Sequence, residues 1–236
     1  MTGVGAFAEK ILAAESNCMP IPESMDFDSA AALSMTYGTS LYALKQRASL
    51  QPGETLMVLG ASGGVGLAAI ELGKAMGAKV IAAASTQDKI DMCLSHGADE
   101  GFIYPSSNLD REQQKELSNK IKELTGGLGP NVIYDPVGGS YAEPCLRSIA
   151  WEGRYLVIGF AAGADQIPKM PLNLTLLKGC QIVGVFWGAW VGQFPDENKK
   201  NFDELFNLYS KGKIKPEVSQ KYSLEDSASA FTHLAN

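Results

Sequence analysis

The chain has 236 residues, of which 45% are hydrophobic and 19% charged, and its formal net charge is −6. A chain of this length can bury a full core without disulfides or metal, in one or two domains. Because the charges are mixed rather than grouped in blocks, nucleic acid and anionic membranes are poor partners. No apolar run approaches the roughly 20 residues that span a bilayer, so we expect a soluble protein with no membrane span.

The cysteines indicate a reducing compartment. Cys18, Cys93, Cys145 and Cys180 lie far apart and form no CxxC pair, which favours structural thiols over disulfides. The two histidines are also far apart, and we expect no metal site. We therefore predict an intracellular protein, cytoplasmic unless a mitochondrial signal precedes Met1.

Six apolar runs have the length and composition of buried strands. They are Leu56–Leu59, Lys79–Ala84, Gly101–Ile103, Val132–Tyr134, Tyr155–Ile158 and Gln181–Phe186. Segments of helical length separate most of them, and this alternation requires right-handed crossovers between parallel strands. The pattern predicts an α/β fold, a doubly wound parallel six-stranded sheet in the order 3-2-1-4-5-6.

Helical spacing is clearest in "TQDKIDMCLSHGA", which places Ile90, Cys93 and Leu94 on one face. Ser85 and Asp88 could cap the start of this helix. At the N-terminal end, "GAFAEKILAAES" alternates like a strand but has no neighbour in sequence to pair with. At the other end, "SLEDSASAFTHLAN" begins a capped helix that stops without a closing turn, so both ends look cut.

The first strand leads into a glycine loop, Ala61 to Gly66, that matches the spacing of a dinucleotide site with alanine at the first glycine position. In such a site the glycines make a tight turn and let backbone N–H groups approach a pyrophosphate. Glycines that end a strand for steric reasons alone are the alternative. The following helix, predicted from Val65 to Met76, and the second strand favour dinucleotide binding.

The end of the second strand favours NADP over NAD. NAD-preferring sites place an acid there to bind the ribose 2′-hydroxyl, whereas this chain has Ala84, Ser85 and Thr86, with Lys89 one helical turn on. A 2′-phosphate can be accepted by Ser85, Thr86 and the Lys89 ammonium. The alternative is that Lys89 is a solvated helix residue and Ser85 only a cap.

Taken together, "YGTSLYAL", "GASGGVGLAAIELGKAMGAKVIA", "YDPVGG", "WEGRYLVIGFAAG" and "GVFWG" resemble the quinone oxidoreductase branch of the medium-chain dehydrogenase/reductase family. The resemblance implies a Rossmann domain over 26–215, flanked by remnants of a GroES-like catalytic domain. Residues 1–25 would belong to that domain, and 216–236 would begin the segment that returns to it.

The resemblance also implies a set of cofactor-binding residues. Thr39 would approach the nicotinamide end, and Ser62, Gly63, Gly64 and Val65 would hold the pyrophosphate. Ser85 and Lys89 would meet the 2′-phosphate, with Tyr104 beside the adenine or its phosphate. Phe160 and Ala161 would line the cofactor, and Phe186, Trp187 and Gly188 would lie by the nicotinamide.

Several of these residues have a structural alternative. Tyr104 precedes Pro105 at a strand exit, where an aromatic ring can simply cover the edge of the core. Phe186 and Trp187 end an apolar strand, and core packing is as good an explanation as a site role. For Asp135, turn formation with Pro136 is the better interpretation.

The chemistry implied is hydride transfer from NADPH to a small acceptor, a quinone or an α,β-unsaturated carbonyl. Alcohol dehydrogenases of the wider family carry a zinc-ligand cysteine in the segment matching "AALSMTYGTSLYAL", and this chain has none there, so zinc-independent transfer is expected. No side chain has the pattern of a general acid, so the catalytic residues stay unknown. An NADP(H)-binding protein without turnover, or a structural protein on the same fold, are the other hypotheses.

The sixth strand, "QIVGVFWG", is apolar, lacks proline and carries no charge, so a free edge there would invite pairing with another chain. Family members similarly continue one sheet into the next through this strand. We expect a homodimer with this two-fold contact. The alternative is that a loop or a further C-terminal segment covers the edge.

Overall fold

The computed structural model describes residues 5–105 and 108–235 of the chain. The parallel strands are β1 Thr55–Val58, β2 Lys79–Ala84, β3 Glu100–Ile103, β4 Val132–Asp135, β5 Arg154–Val157 and β6 Gln181–Gly184. The helices are α1 Phe27–Leu41, α2 Gly64–Ala75, α3 Gln87–Ser95, α4 Arg111–Leu124, α5 Ala142–Ser148, α6 Asn173–Lys178, α7 Trp187–Gln193, α8 Pro195–Ser210 and α9 Ser227–Ala235. A π-helical turn, Tyr42–Arg47, continues α1.

The strands form one six-stranded sheet in the order β3-β2-β1-β4-β5-β6, which confirms the predicted doubly wound topology. Every neighbouring pair is parallel. The predicted strand bounds agree to within a residue except at the last strand. β6 stops at Gly184, because the chain leaves the sheet two residues before the predicted end at Phe186.

Successive side chains of the strands enter two cores, one on each face of the sheet. On one face, Leu56 and Val58 of β1 pack with residues of α1, α2 and α8. On the other, Met57 of the same strand packs with residues of α4 and α5. Since both faces of the sheet are covered, the strands read as nearly continuous apolar runs.

Two details of the predicted helices need correction. The N-cap of α3 is Thr86, whose hydroxyl accepts a hydrogen bond from the Lys89 backbone N–H at 3.4 Å, and not Ser85. The second correction concerns the buried face of α3, which includes Ile90 and Cys93 but not Leu94, whose side chain is 41% exposed. Because α3 covers only the outer strands of the sheet, its buried stripe is narrower than the sequence pattern suggested.

The strand-like alternation near the N-terminus does not produce a strand, since residues 5–14 have no regular structure. A strand needs a neighbour to bond with, and the described part of the chain offers none there. Residues 1–4, within the predicted remnant 1–25, and Asn236 lie outside the described residues. Among the described residues, no helix is both long and apolar enough to cross a membrane.

Candidate functional site

The glycine loop leaves the carboxyl end of β1 through a left-handed turn at Gly60, where φ is +55°. A Cβ at Gly60 would lie 2.9 Å from the Val137 side chain, so both backbone conformation and space require glycine. The turn residue is therefore one position earlier than the motif predicts. That shift explains why alanine is tolerated at position 61, whose side chain is fully buried.

The last glycine of the loop brings α2 close to β1. A Cβ on Gly66 would lie 2.5 Å from the carbonyl oxygen of Gly60 and 2.6 Å from that of Ala61. Both oxygens belong to the backbone and cannot move aside easily. Close helix–strand packing is the role that a dinucleotide site assigns to its third glycine.

The start of α2 presents backbone donors at an open surface. Its first helical hydrogen bond runs from the Leu67 N–H to the Gly63 carbonyl, at 2.8 Å. The N–H groups of Gly64 and Val65 come before that bond and have no acceptor within the helix. Gly63 and Gly64 are exposed, and Ser62 and Val65 half-buried. Such a helix start attracts anions, and its residues fit a pyrophosphate.

Helix α1 supports the loop from the side. The Ser40 hydroxyl donates to the Val65 carbonyl at 3.0 Å and lies 2.8 Å from the Tyr134 hydroxyl. Thr36 also abuts the loop, 3.0 Å from where a Cβ on Gly64 would stand. Thr39, on the same helix, is half-buried. Side chains of α1 therefore fix the position of the first turn of α2.

At the end of β2, the Lys89 ammonium donates to the Ser85 hydroxyl at 3.2 Å. Lys89 is exposed and Ser85 half-buried, so both side chains are accessible to solvent. The strand before them ends in Ala84 rather than in an acid. A cation and a hydroxyl held together in this way suit a phosphate better than a ribose diol.

A cavity of about 410 Å³ opens next to Ser85. Its lining includes Tyr104, Asn108, Tyr141, Ala161 and Gln166. Tyr104 is buried and its hydroxyl accepts a hydrogen bond from the Gly60 N–H at 3.3 Å, while its ring lies 4.9 Å from that of Tyr141. Burial raises the pKa of Tyr104 to about 12, so its hydroxyl stays neutral. Tyr104 thus covers the core and also forms a wall of the cavity.

The predicted nicotinamide end is more open. Phe160 and Phe186 line a second cavity, of about 740 Å³, and Phe186 is 77% exposed. Gly188 and Ala161 are also exposed. Trp187 differs, because its indole is buried and donates to Oδ1 of Asn198 at 3.2 Å. The Trp187 side chain therefore belongs to the core, and only its backbone is placed for a site role.

Asp135 confirms the turn interpretation. Its Oδ1 accepts hydrogen bonds from the Val137 N–H at 2.7 Å and the Gly138 N–H at 2.8 Å. Its other oxygen accepts from the Tyr155 hydroxyl. Burial raises the pKa of Asp135 above its usual range. These contacts organise the turn after β4 and join it to Tyr155 of β5.

Sequence reasoning missed three contributors to the site. Gly60 carries the turn, Ser40 fixes the loop from α1, and Gln166 lines the smaller cavity. The motif "VLGASGG" contained the signal for Gly60, since it is the first glycine after the strand. Ser40 and Gln166 lie far from the loop in sequence, so no local pattern identified them.

A family model described as zinc-binding dehydrogenase matches residues 64–207. The chain is 38% identical over 229 residues to quinone oxidoreductase-like protein 2 homolog of Nematostella vectensis, which covers 96% of this chain and 60% of that protein. It is 33% identical over 234 residues to a quinone oxidoreductase of Pseudomonas aeruginosa, covering 98% and 68%. The chain belongs to the quinone oxidoreductase branch of the medium-chain dehydrogenase/reductase family.

Solved structures of this family agree with the fold. The quinone oxidoreductase of Thermus thermophilus, determined alone and as its complex with NADPH, aligns with a TM-score of 0.83 at 26% identity. The alignment covers 99% of this chain and 71% of that protein. The chain spans about 60 to 64% of the length of its quinone oxidoreductase-like protein 2 relatives from Nematostella vectensis and Bos taurus.

Proposed function

We propose that this chain is the NADP(H)-binding part of a reductase that transfers a hydride from NADPH to a quinone or an α,β-unsaturated carbonyl. The observation that carries the cofactor assignment is the Lys89–Ser85 pair at the end of β2, a strand that ends in alanine rather than an acid. The NADPH complex of the Thermus thermophilus relative supports the same assignment. The names of the relatives support the acceptor class.

Each part of the cleft has a distinct task in this proposal. The backbone of Gly63, Gly64 and Val65 binds the pyrophosphate at the start of α2. Lys89 and Ser85 bind the 2′-phosphate. NADPH itself supplies the hydride, and the protein positions it and excludes water.

At the nicotinamide end, we propose that Thr39, Phe186 and Gly188 border the ring together with the backbone of Trp187, and that Phe160 and Ala161 line the cofactor after β5. Phe160 and Phe186 are exposed, which leaves one side of this region open to solvent. We propose that a GroES-like catalytic domain closes that side and forms a wall of the acceptor cleft. Residues 1–25 and 216–236 would then be parts of that domain, with 26–215 as the Rossmann domain.

The proposal includes hydride transfer without zinc. Its support is the segment 31–44, which contains no cysteine at the position where zinc-dependent relatives carry a ligand. The three cysteines that follow, Cys93, Cys145 and Cys180, are all buried. Metal analysis of the purified protein, with and without added zinc, tests this part.

We also propose a homodimer through β6, which lies at the edge of the sheet. Gln181, Ile182 and Gly184 of this strand are exposed. An unpaired apolar edge strand is a template for a second chain, and a two-fold axis would extend the sheet through both copies.

Calorimetric titration with NADPH and NADH tests the cofactor assignment. We expect the parent to bind NADPH more tightly than NADH. Lys89→Ala should weaken NADPH binding by about 1.5–3 kcal/mol, at least tenfold in affinity, and leave NADH binding unchanged. Lys200→Ala, an exposed lysine on α8, is the matched control and should bind like the parent. An unchanged NADPH affinity in Lys89→Ala would contradict the assignment.

A further inference from the structure

A groove of about 760 Å³ lies between α4, α5 and α6, separate from the cavities of the cofactor cleft. Five cationic side chains line it: Arg111, Lys115, Lys122, Arg147 and Lys178. We refer to it as the basic groove. Among its described lining residues only Glu143 is acidic, in a chain whose net charge is −6. This surface therefore has the opposite charge to the protein as a whole.

Most of the cations in the basic groove lack a counter-ion. Arg147 pairs with Glu143 at 2.6 Å. Among the described residues, Arg111, Lys115, Lys122 and Lys178 have no carboxylate within 4.0 Å. Four like charges that face one groove repel each other, so an anion bound among them would relieve that repulsion.

The arrangement on α4 keeps its glutamates out of the basic groove. Arg111, Lys115 and Lys122 follow one stripe of the helix and face the groove. Each of them is followed directly by a glutamate, at positions 112, 116 and 123. Successive residues of an α-helix are rotated by about 100° around its axis. The acids therefore lie on a neighbouring stripe outside the groove. An ordinary solvated helix would mix the signs around its surface.

The walls of the basic groove are rigid. The Ser148 hydroxyl of α5 donates to the Ser118 hydroxyl of α4 at 3.2 Å, and both serines are buried. Next to them, Leu117 and Ile121 of α4 are buried in the core. Because α4 and α5 are joined in this way, the cations of α4 and Arg147 of α5 line the groove without a change of fold.

We propose that the basic groove binds a small organic oligophosphate. Phosphate fits better than a carboxylate, because it carries more charge per group and offers three oxygens to lysine and arginine. Four unpaired cations match a ligand of about four negative charges, such as a triphosphate. Leu177, which is 64% exposed, also lines the groove and offers an apolar contact to the organic part of the ligand. None of these residues takes part in the proposed function.

Calorimetry with inorganic tripolyphosphate as the probe, at low ionic strength on the full chain, tests the inference. We expect binding by the parent, and a loss of roughly tenfold in affinity in the double variant Lys115→Gln/Lys122→Gln. Lys115 is exposed and Lys122 half-buried, and neither side chain makes a hydrogen bond or ion pair among the described residues, so the variant should unfold close to the parent's temperature. Lys120→Gln is the matched control, since this lysine is on the same helix but outside the groove.

Other outcomes would overturn the inference. They are an absence of tripolyphosphate binding in the parent at millimolar concentration, or an equal loss of affinity in Lys120→Gln. A loss in Lys89→Gln with none in the groove variant would place the anion in the cofactor cleft instead. Equal affinity for citrate would contradict the preference for phosphate.

Discussion

The Tyr37 hydroxyl of α1 donates a hydrogen bond to Oε2 of Glu71 on α2, at 2.6 Å, and both side chains are buried. The same carboxylate lies 2.7 Å from Nδ1 of His96 and accepts from the Lys215 N–H at 2.8 Å. Glu71 thus connects α1 and α2 with the end of α3 and with the segment after α8. A buried carboxylate is stable in the core only because partners from several elements satisfy it.

Tyr37→Phe tests the importance of this contact. The substitution removes one donor from a buried carboxylate, so we expect the free energy of unfolding to fall by about 1–3 kcal/mol. Urea unfolding followed by circular dichroism measures the change. Tyr209→Phe is the control, because the Tyr209 hydroxyl makes only a 3.5 Å contact with Ser29. Equal stability of Tyr37→Phe and the parent would mean that the carboxylate needs no donor from α1.

Gly66→Ala should destabilise the fold. The new methyl group would overlap the backbone oxygens of Gly60 and Ala61, and overpacking of this kind costs about 1–3 kcal/mol. Thermal unfolding measures the loss. The control is Gly192→Ala in α7, where a Cβ would meet nothing within 4 Å and alanine favours the helix. The prediction is wrong if Gly66→Ala and Gly192→Ala unfold at the same temperature.

Gly63→Val should abolish NADPH binding with the fold intact. The position is exposed and its φ of −76° suits any residue, but a branched side chain would stand where the pyrophosphate has to meet the backbone. Circular dichroism and NADPH titration distinguish the two effects. A folded variant that binds NADPH like the parent would show that the loop is only a structural turn.

The ion pair of Glu54 and Arg154 predicts a dependence of stability on pH. Burial acts to raise the pKa of Glu54, but hydrogen bonds from Arg154 and the Gln51 N–H outweigh it and hold the pKa below its usual range. A carboxyl with a lowered folded-state pKa stabilises the protein above its unfolded pKa. That contribution is lost as the pH falls through the folded value.

Glu54→Gln should therefore be less stable than the parent at pH 7, and the difference should shrink below about pH 4 as the parent's carboxyl is protonated. Unfolding free energies measured from pH 3 to 7 test this. Glu197→Gln, which breaks the exposed pair with Lys200, is the control and should change little at any pH. A difference that is constant across this range would assign the effect to packing rather than charge.

Ile182→Lys tests the proposed homodimer. Ile182 is 37% exposed on the edge strand, whereas its neighbour Val183 is buried and would disturb the core if changed. In a two-fold contact the new charge would lie near its symmetry mate, so we expect weaker association. Sedimentation velocity of the parent and the variant, at protein concentrations of tens of micromolar, measures the fraction of dimer in each. A parent that stays monomeric while it binds NADPH would exclude the interface.

Strand order and the two-sided core could be predicted because most strands are nearly continuous apolar runs and each crossover has one hand. The end of β6 at Gly184 could not be predicted in this way. Phe186 and Trp187 continue the apolar run, but Trp187 begins α7 and its indole packs against α1 and α8. Apolar character alone does not tell a strand that continues from a helix that starts.

Sequence spacing predicted which residues of the candidate site lie together at one edge of the sheet, but not the supporting contacts from residues distant in sequence. Gly63, Gly64, Ser85 and Lys89 follow their strands directly, so the parallel sheet brings them to one edge. The cap of α3 was assigned one residue too early, because Ser85 and Thr86 are both good caps and only the backbone conformation selects between them.

Gly38 of α1 connects the segment after β6 with the helix that supports the glycine loop. A Cβ there would lie 2.6 Å from the Trp187 ring, so only glycine lets the indole seat against α1. The backbone after β6 is thereby held against the same helix that supports the glycine loop. Core packing thus fixes the backbone at both ends of the proposed cleft, and under the proposed function little backbone conformational entropy is lost on dinucleotide binding.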